Sequence, residues 1–362
     1  MAVLPEAFFM LTSIGLWKSK KWETWKCILY YSYTLFLAYH FVTFFCFGFL
    51  GLILFCTDFI DLITNSSIVI TMFTVPGKMI TIIDNRKKIL NFVKIFDQKE
   101  FKPRNEYEKE ICNQYDRFIS QQSGSLPFKA WYPYNTQSSN IHLFTSYQQV
   151  ITVFMCANVH VAFDAVLLGM MVQICLQINI LKYRFKKMLL QLEETNVLQD
   201  QSIIDHKIIE KKVFMDYTKF HSTILSMVDN MVEIFSFIML VQFFCSSLIF
   251  CTSVYVLSQT PVFTTDFLAC LVYIICMFFQ VFFPCYIGNQ MTIEFSELNN
   301  ALYSTNWYAL GTNVRKYMNF IMTKSSKPVV FSTGHIIALS LDAFKNLLKI
   351  SYTIFNVFQK SS

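Results

Sequence analysis

The sequence predicts an all-α membrane protein, and three observations lead to that fold class. Of its 362 residues, 54% are hydrophobic and only 15% are charged, which places the chain outside the usual composition of soluble domains. Apolar runs long enough to cross a bilayer recur along the chain. Lysine and arginine cluster beside several of these runs, as they do on the cytoplasmic side of membrane proteins. The net charge of +6 therefore reflects membrane orientation, and no nucleic-acid partner is expected.

Six apolar spans are expected, in the ranges 27–56, 68–83, 150–180, 233–258, 267–287 and 339–360. The basic, tryptophan-rich stretch before the first span places the N-terminus in the cytoplasm. The first connection is short, acidic and outside, and Asn65 begins an N-glycosylation sequon there, which makes it the candidate glycosylation site. Pro76 and Gly77 are expected to break the second span.

Two further segments are expected to be helical on the cytoplasmic side. Residues 181–220 are basic and amphipathic, so they should continue the third visible span into the cytoplasm. Residues 313–323 show helical spacing within the polar stretch 288–328. Between the fourth and fifth spans, Gln259 to Pro261 should turn the chain.

One membrane crossing is missing from this pattern. The segments after residues 83 and 180 are both basic and therefore both cytoplasmic, yet only the span 150–180 lies between them. Residues 84–120 are charged and contain no apolar run. We therefore expect a shortened form, produced by a skipped exon or an imperfect gene model, that lacks the third helix near residues 120–125.

The last span differs from the others because it carries a polar stripe. Residues placed every 100° around a helix bring six polar side chains onto one narrow face, with apolar residues over much of the remainder. A charged face at membrane depth indicates either a water-filled path or a packed helix whose lysines reach the membrane surface, and both interpretations remain open. The six residues are Asp342, Lys345, Lys349, Thr353, Asn356 and Lys360.

Two other classes of protein are not favoured by the motifs. Nucleophile-elbow, P-loop, zinc-protease and dinucleotide-binding patterns are absent, and Asp164, Glu233 and His160 have no partner at catalytic spacing, so no enzyme, cofactor or metal site is expected. A G-protein-coupled receptor is suggested by Tyr115 to Phe118, which imitates an acidic-arginine switch. That tetrapeptide follows charged sequence, however, and the cytoplasmic N-terminus gives the opposite orientation.

Three blocks of sequence carry a recognisable pattern: one in the tail, a basic and aromatic block before it, and one in the polar loop after residue 120. The residues are Ser340, Leu341, Phe344, Leu348, Lys349, Ser351, Tyr352 and Phe355 in the tail, Tyr303, Trp307, Arg315, Lys316, Lys327 and Pro328 before it, and Leu126 to Phe128 with Trp131 to Pro133 in the loop. Together these blocks resemble the insect odorant receptor family. The tail is similar to the family's C-terminal signature, and the loop block is similar to its second extracellular loop.

The resemblance implies an odorant-gated cation channel of seven-helix subunits, assembled as a tetramer around one pore. It implies a small volatile ligand, an odorant co-receptor subunit as partner, and the dendritic cell membrane of a sensory neuron as location. The short second cytoplasmic loop is typical of the family's tuning subunits. The alternatives are a G-protein-coupled-receptor-like chemoreceptor and a non-functional truncated isoform.

The resemblance also implies roles for individual residues. Val357 would form a hydrophobic constriction of the pore, with Asn356, Thr353 and Lys349 lining the path below or beside it. The ligand pocket would lie in the outer half of the bundle, and the cytoplasmic anchor would join subunits. The pocket candidates are Ile70, Phe73, Phe154, Asn158, Phe267, Cys270 and Tyr273, and the interface candidates are Tyr303, Trp307, Tyr308 and Arg315. On this basis we expect a membrane bundle with cytoplasmic extensions (1–288), an anchor region (289–328) and a pore-lining terminal helix (329–362).

Overall fold

The computed structural model describes residues 5–17, 24–55, 59–96, 139–197, 203–262, 264–304, 307, 312–326, 329–334 and 336–361. These residues are predominantly helical, which confirms the all-α class. A two-stranded hairpin lies before the last helix. The elements are α1 (Pro5–Ser13), α2 (Thr24–Phe55), α3 (Phe59–Asp84), α4 (Arg86–Phe96), α5 (Ser139–Val197), α6 (Ile203–Gln259), α7 (Thr265–Tyr303), α8 (Thr312–Ser325), β1 (Ser332–Thr333), β2 (Ile337–Ala338) and α9 (Leu341–Ser361).

Four helical segments of the described chain are long and apolar enough to cross a membrane: Thr24–Cys46, Ile151–Lys187, Phe214–Gln259 and Thr265–Tyr303. They correspond to the first, third, fourth and fifth expected spans. The other two, 68–83 and 339–360, fall on α3 and α9, which are helical but carry charged residues such as Lys78 and Lys345. Their crossing of the membrane stays a prediction. The expected absence of a third helix concerns residues within 97–138, which lie outside the described residues.

The expectation that Pro76 and Gly77 break the second span is wrong, because α3 runs through both residues. Proline removes one backbone donor, the one that would otherwise bond the Met72 carbonyl, and α3 continues past it without that single hydrogen bond. Thr74 Oγ1 donates to the Thr71 carbonyl at 2.8 Å. Gly77 allows close packing against α6, since a Cβ atom there would lie 2.5 Å from Ile238 Cδ1.

The connection before α3 is shorter than expected. The helix begins at Phe59, so Asn65 lies within α3 instead of in an outer connection that precedes the span. Glycosylation of Asn65 stays a prediction.

The expected extension 181–220 is helical in its described parts, 181–197 and 203–220, and its cytoplasmic location stays a prediction. Helices α5 and α6 contain 59 and 57 residues, nearly three times the ~20 residues that a bilayer core of ~30 Å requires. Helix α8 covers the segment 313–323 that the spacing predicted, and α6 ends at Gln259 as expected. Helix α7 is continuous through residue 288, so the domain boundary expected there does not coincide with a helix end.

The core lies where α5 and α6 meet their neighbours. Helix α3 packs against α6 and α5, α7 packs against α5 and α6, and α9 packs against α6 and α7. Phe163 of α5 and Phe235 of α6 are fully buried, with their rings 5.4 Å apart in an edge-to-face arrangement.

The hairpin was not predicted, and it positions the start of α9. Ser332 pairs with Ala338 across the two strands, and Gly334 adopts φ +56° in the turn, a conformation that favours glycine. Its backbone N–H donates to Ser236 Oγ of α6 at 2.5 Å. Leu339 is fully buried beside Gly288 of α7, so the hairpin is fixed to both helices against which α9 packs.

Gly288→Ala should destabilise the fold because the added Cβ would lie 2.6 Å from the Leu339 carbonyl oxygen. This oxygen belongs to the backbone, so it cannot move away as the end of a flexible side chain could. We expect a loss of about 1–3 kcal/mol, measured as a lower melting temperature of the detergent-solubilised chain. Asn289→Ala on the same turn is the control and should change the melting temperature much less. Equal melting of the Gly288→Ala variant and the wild type would show that this contact is not tight.

Candidate functional site

Helix α9 has two different faces, and the apolar one packs on the chain's own bundle. Phe344 is buried between two rings of α7, at 5.1 Å from Phe278 and 5.5 Å from Phe282. Ser351 is also buried and its hydroxyl lies 3.3 Å from the Ser247 carbonyl of α6. These contacts orient the whole helix.

The polar stripe therefore faces away from the bundle, as the periodicity predicted. Asp342, Lys345, Lys349 and Thr353 are exposed, and Lys345 Nζ donates to Asp342 Oδ1 at 3.2 Å. Both interpretations of the stripe, a water-filled path and lysines reaching the membrane surface, require this orientation. Val357 is 61% exposed, whereas Asn356 is half-buried.

The interface candidates before the hairpin also include both exposed and partly buried residues. Tyr303 and Arg315 are exposed, whereas Trp307 is half-buried and packs against the hydrophobic core. Tyr308 lies outside the described residues.

Five of the pocket candidates contact other helices or form local hydrogen bonds. Ile70 and Tyr273 pack against the core, and the hydroxyls of Tyr273 and Thr71 lie 2.8 Å apart, which joins α7 to α3. Asn158 Nδ2 donates to the Phe154 carbonyl at 2.7 Å. The Cys270 thiol lies 3.5 Å from the Ser253 carbonyl, and the Phe267 N–H caps α7 by donating to Thr264 Oγ1 at 3.2 Å.

Phe73 and Phe154 are placed differently. They are 61% and 64% exposed, so their rings lie on the surface of the chain and not in the space between helices. A cavity in the described region has a volume of about 20 Å³, which is room for one water molecule. It lies between α1, α2, α3 and α5, and none of the seven pocket candidates lines it.

A cluster of polar side chains joins α3, α5 and α7 below the pocket candidates. Lys78 is fully buried, and its Nζ atom donates to Asp164 Oδ1 at 2.9 Å. Gln280 Nε2 lies 3.2 Å from Asp164 Oδ2 and 3.1 Å from His160 Nδ1. The Lys78 ammonium also lies 4.8 Å from the centre of the Phe163 ring, within the range of a cation–π interaction.

In the sequence, Asp164 and His160 were identified as ionisable residues without a partner, but Lys78, which pairs with Asp164, was overlooked. The signal was a single lysine inside the apolar range 68–83. An ionisable residue at that depth calls for a partner of opposite charge on another helix. Glu233, the third such residue, pairs with Lys88 at 2.6 Å, and both side chains of that pair are largely exposed.

Breaking the buried ion pair should be strongly destabilising. Asp164→Asn leaves the Lys78 ammonium buried without a counter-charge, which costs about 3–5 kcal/mol. Surface delivery and the melting temperature of the solubilised protein should both fall. The double variant Lys78→Met with Asp164→Asn should recover much of the loss. Lys88→Met, which breaks the exposed pair, is the control and should cost at most about 1 kcal/mol of stability. If Asp164→Asn and Lys88→Met lowered the stability equally, burial would not distinguish the two ion pairs.

Comparisons with known proteins address the fold and the family. The family model described as 7tm Odorant receptor matches residues 117–352. Among curated proteins, Odorant receptor 94a of Drosophila melanogaster is 26% identical over 63% of this chain and 56% of its own length. Odorant receptor Or1 of Anopheles gambiae is 27% identical over 65% of this chain and 60% of its own. The matches thus span little more than half the length of these relatives.

Among solved structures, the insect olfactory receptor OR5 from Machilis hrabei in complex with eugenol has a TM-score of 0.82. The superposition covers 99% of this chain and 98% of that one at 16% identity, so the likeness concerns the fold alone. A second structure of the same receptor, OR5 from Machilis hrabei, superposes with a TM-score of 0.76 at 15% identity. The family model covers well over half of the chain, and the chain therefore belongs to the 7tm odorant receptor family of multi-pass transmembrane chemosensory receptors.

Proposed function

We propose that the chain is the tuning subunit of a heteromeric odorant-gated cation channel, assembled with an odorant co-receptor in the cell membrane of a sensory neuron, with its N-terminus in the cytoplasm. The observation that carries the proposal is the orientation of α9 in a member of this family. The apolar face of α9 is buried on α6 and α7, and its charged face is left for water or for other subunits.

A pore accounts for this charged face in physical terms. Asp342, Lys345 and Lys349 would be costly against hydrocarbon, so a bilayer-spanning helix turns such a stripe towards water or protein. Several copies of α9 around a common axis would line a water-filled path. Lysines are unsuited to line the narrow part of a cation pore, so we place Lys345 and Lys349 in the wider inner vestibule, where co-receptor subunits set the selectivity.

The gate in this proposal is Val357, nearer the outer end of α9. An apolar ring can close a pore by excluding water from a narrow section, and a small widening reopens it. The 61% exposure of Val357 in the single subunit leaves its side chain available to such a ring. Asn356 and Thr353 would border the gate.

The ligand in this proposal is a small volatile molecule bound between the outer halves of α3, α5 and α7. Ile70 of α3 and Tyr273 of α7 pack against the hydrophobic core, and the Tyr273 hydroxyl lies 2.8 Å from that of Thr71 on α3. A largely apolar lining is usual for small-molecule pockets. Helix α7 bears both Tyr273 and Phe278, and Phe278 packs on Phe344 of α9, so one helix borders both the proposed pocket and the pore helix.

The experiment that tests the function is co-expression with the co-receptor and recording of currents across an odorant panel. A second version with about 25 apolar residues restored near residues 120–125 should be compared with the present form. Current from the restored version alone would identify this form as a non-functional truncated isoform. Epitope tags on unpermeabilised cells test the orientation, because an exposed N-terminus would favour a G-protein-coupled receptor.

Val357→Asn should raise the ligand-independent current, because a polar ring lets water persist in the closed pore. Val357→Phe should suppress current at unchanged surface expression. The measurement is leak current per surface channel in the version with the third helix restored, co-expressed with the co-receptor. Phe237→Asn, which changes an exposed apolar residue of α6, is the control and should leave the resting current unchanged. If neither Val357 variant alters the current of assembled channels, Val357 is a packing residue.

Trp307→Ala should reduce co-assembly with the co-receptor while leaving membrane insertion intact, because large aromatic anchors dominate subunit interfaces. The readout is the fraction of co-receptor that co-purifies per surface-labelled chain. Since Trp307 also packs on the core, Arg315→Ala separates the two roles: its side chain is exposed, so its loss affects the interface without creating a cavity. Full co-purification of both variants would contradict this placement of the interface.

A further inference from the structure

Helix α4 continues the helical register of α3 across a single connecting residue, Asn85. The Asn85 carbonyl accepts the Ile89 N–H at 2.9 Å, and the Asn85 N–H donates to the Thr81 carbonyl at 3.2 Å. Ile82 and Ile89, which lie two turns apart, are both fully buried, so one face of the two helices is turned towards the bundle throughout. The opposite face is therefore continuous as well.

This opposite face changes from apolar to basic at the junction. Ile80 and Ile83 of α3 are exposed, and the next exposed positions on the same side are Lys87, Asn91 and Lys94 of α4. Helix α4 has four basic residues and no acidic one. Lys87 lies about 6 Å further along the helix than Ile83. In a multi-pass membrane protein, such a change marks the level at which hydrocarbon gives way to polar headgroups.

Two of the four basic residues hold α4 in place within the chain. Lys88 Nζ donates to Glu233 Oε1 of α6 at 2.6 Å. The Arg86 guanidinium lies 5.0 Å from the centre of the buried Trp17 ring, within the range of a cation–π interaction. The Trp17 N–H in turn donates to the Tyr30 hydroxyl at 3.0 Å, which joins the start of α2 to the start of α4. These contacts fix the direction of the remaining lysines.

The remaining lysines form a basic surface together with one lysine of α2. Lys87 and Lys94 are exposed, and neither is in an ion pair with a residue that the structure describes. Lys26, one turn before Tyr30 on α2, is also exposed, and its Nζ atom lies 5.3 Å from the centre of the exposed Trp25 ring. Even with Asp84, which is exposed at the end of α3, this surface is positive overall.

We propose that the basic surface formed by Lys26, Lys87 and Lys94 docks on the headgroups of anionic phospholipids in the adjoining leaflet of the membrane. Lysines at the end of apolar helices attract anionic headgroups, and a tryptophan beside them is typical of headgroup depth. Lys94 lies about 10 Å beyond Lys87, about one Debye length further from the membrane. This inference rests on the proposed orientation, which puts these residues at the cytoplasmic leaflet, where anionic lipids concentrate.

A helix-binding protein fits this surface less well than a lipid headgroup does. Proteins that bind an amphipathic helix take up its apolar face in a groove. The apolar face of α4 is already used, because Ile89 is fully buried and Phe92 is only 3% exposed. What α4 offers to a partner is its charge, which is complementary to an anionic membrane surface.

The test measures thermal stabilisation of the purified full-length chain in detergent micelles by dioleoylphosphatidylserine and by dioleoylphosphatidylcholine. Half-maximal stabilisation of the wild type should need about tenfold less phosphatidylserine than phosphatidylcholine at about 0.1 M salt, and this preference should shrink at about 0.5 M salt. Equal stabilisation by the two lipids would overturn the proposal. Stabilisation by calcium-loaded calmodulin without any lipid preference would assign the surface to a protein and overturn it as well.

Substitutions of Lys87 test the surface itself. Lys87→Gln should need about fivefold more phosphatidylserine, whereas Lys87→Arg, which keeps the charge, should bind as the wild type does. The control is Lys316→Gln, which removes an exposed lysine from α8. Its neighbour Tyr317 stacks on Phe214, with ring centres 5.8 Å apart, and Phe214 lies roughly 28 Å along α6 from Glu233. Unchanged affinity in Lys87→Gln, or an equal loss in Lys316→Gln, would overturn the proposal.

The lipid preference is measured without any current, which separates this inference from the proposed function. A preference for phosphatidylserine in a receptor that gives no odorant current would support the lipid surface and count against the channel. Odorant currents together with equal stabilisation by the two lipids would support the channel and overturn the lipid surface.

Discussion

The ion pair between Lys78 and Asp164 is the interaction on which the arrangement of the bundle depends. A fully buried ammonium needs a counter-charge within contact distance, and the 2.9 Å approach of Asp164 supplies it. Because Lys78 is on α3 and Asp164 on α5, the pair fixes the relative height of the two helices. Gln280 extends the same hydrogen bonding to α7. Helices α3 and α5 therefore cannot slide past each other without leaving a charge unpaired, and α7 cannot slide without losing the hydrogen bonds of Gln280.

The charges of helix α9 are not buried in pairs but lie on an exposed face of the chain. Its apolar face is held by Phe344 and Ser351, and the hairpin before it is fixed to Ser236 and Gly288. No further helix of the described chain covers the stripe formed by Lys345, Lys349 and Thr353. Paired charges can be buried within one subunit, whereas a row of lysines with a single exposed acidic neighbour requires water. The described chain therefore consists of a bundle whose buried charges are paired internally and one helix, α9, whose charged face is exposed.

Features that follow from the local spacing of residues could be predicted from the sequence. Features that depend on contacts between residues far apart in the chain could not. The stripe on α9 and the helix at 313–323 followed from residue spacing, and the structure confirms both. The pairing of Lys78 with Asp164 joins residues 86 positions apart, so no local pattern reveals it. Pro76 was expected to break the helix, yet α3 runs through it, and Gly77 packs closely on Ile238 of α6. The hairpin depends on Ser236, nearly a hundred residues away, and the site roles came from the family resemblance alone.

The buried polar groups of the bundle also separate stability from selectivity. Lys78, Asp164 and Gln280 satisfy one another, and so do the hydroxyls of Thr71 and Tyr273, so a ligand gains little by approaching any of them. Gln280 extends this network to His160, whose Nδ1 lies 3.1 Å from Gln280 Nε2. The chain thus uses its buried polar residues to hold α3, α5 and α7 together. A ligand in the proposed pocket would be held by apolar contacts, which discriminate mainly by shape and only weakly.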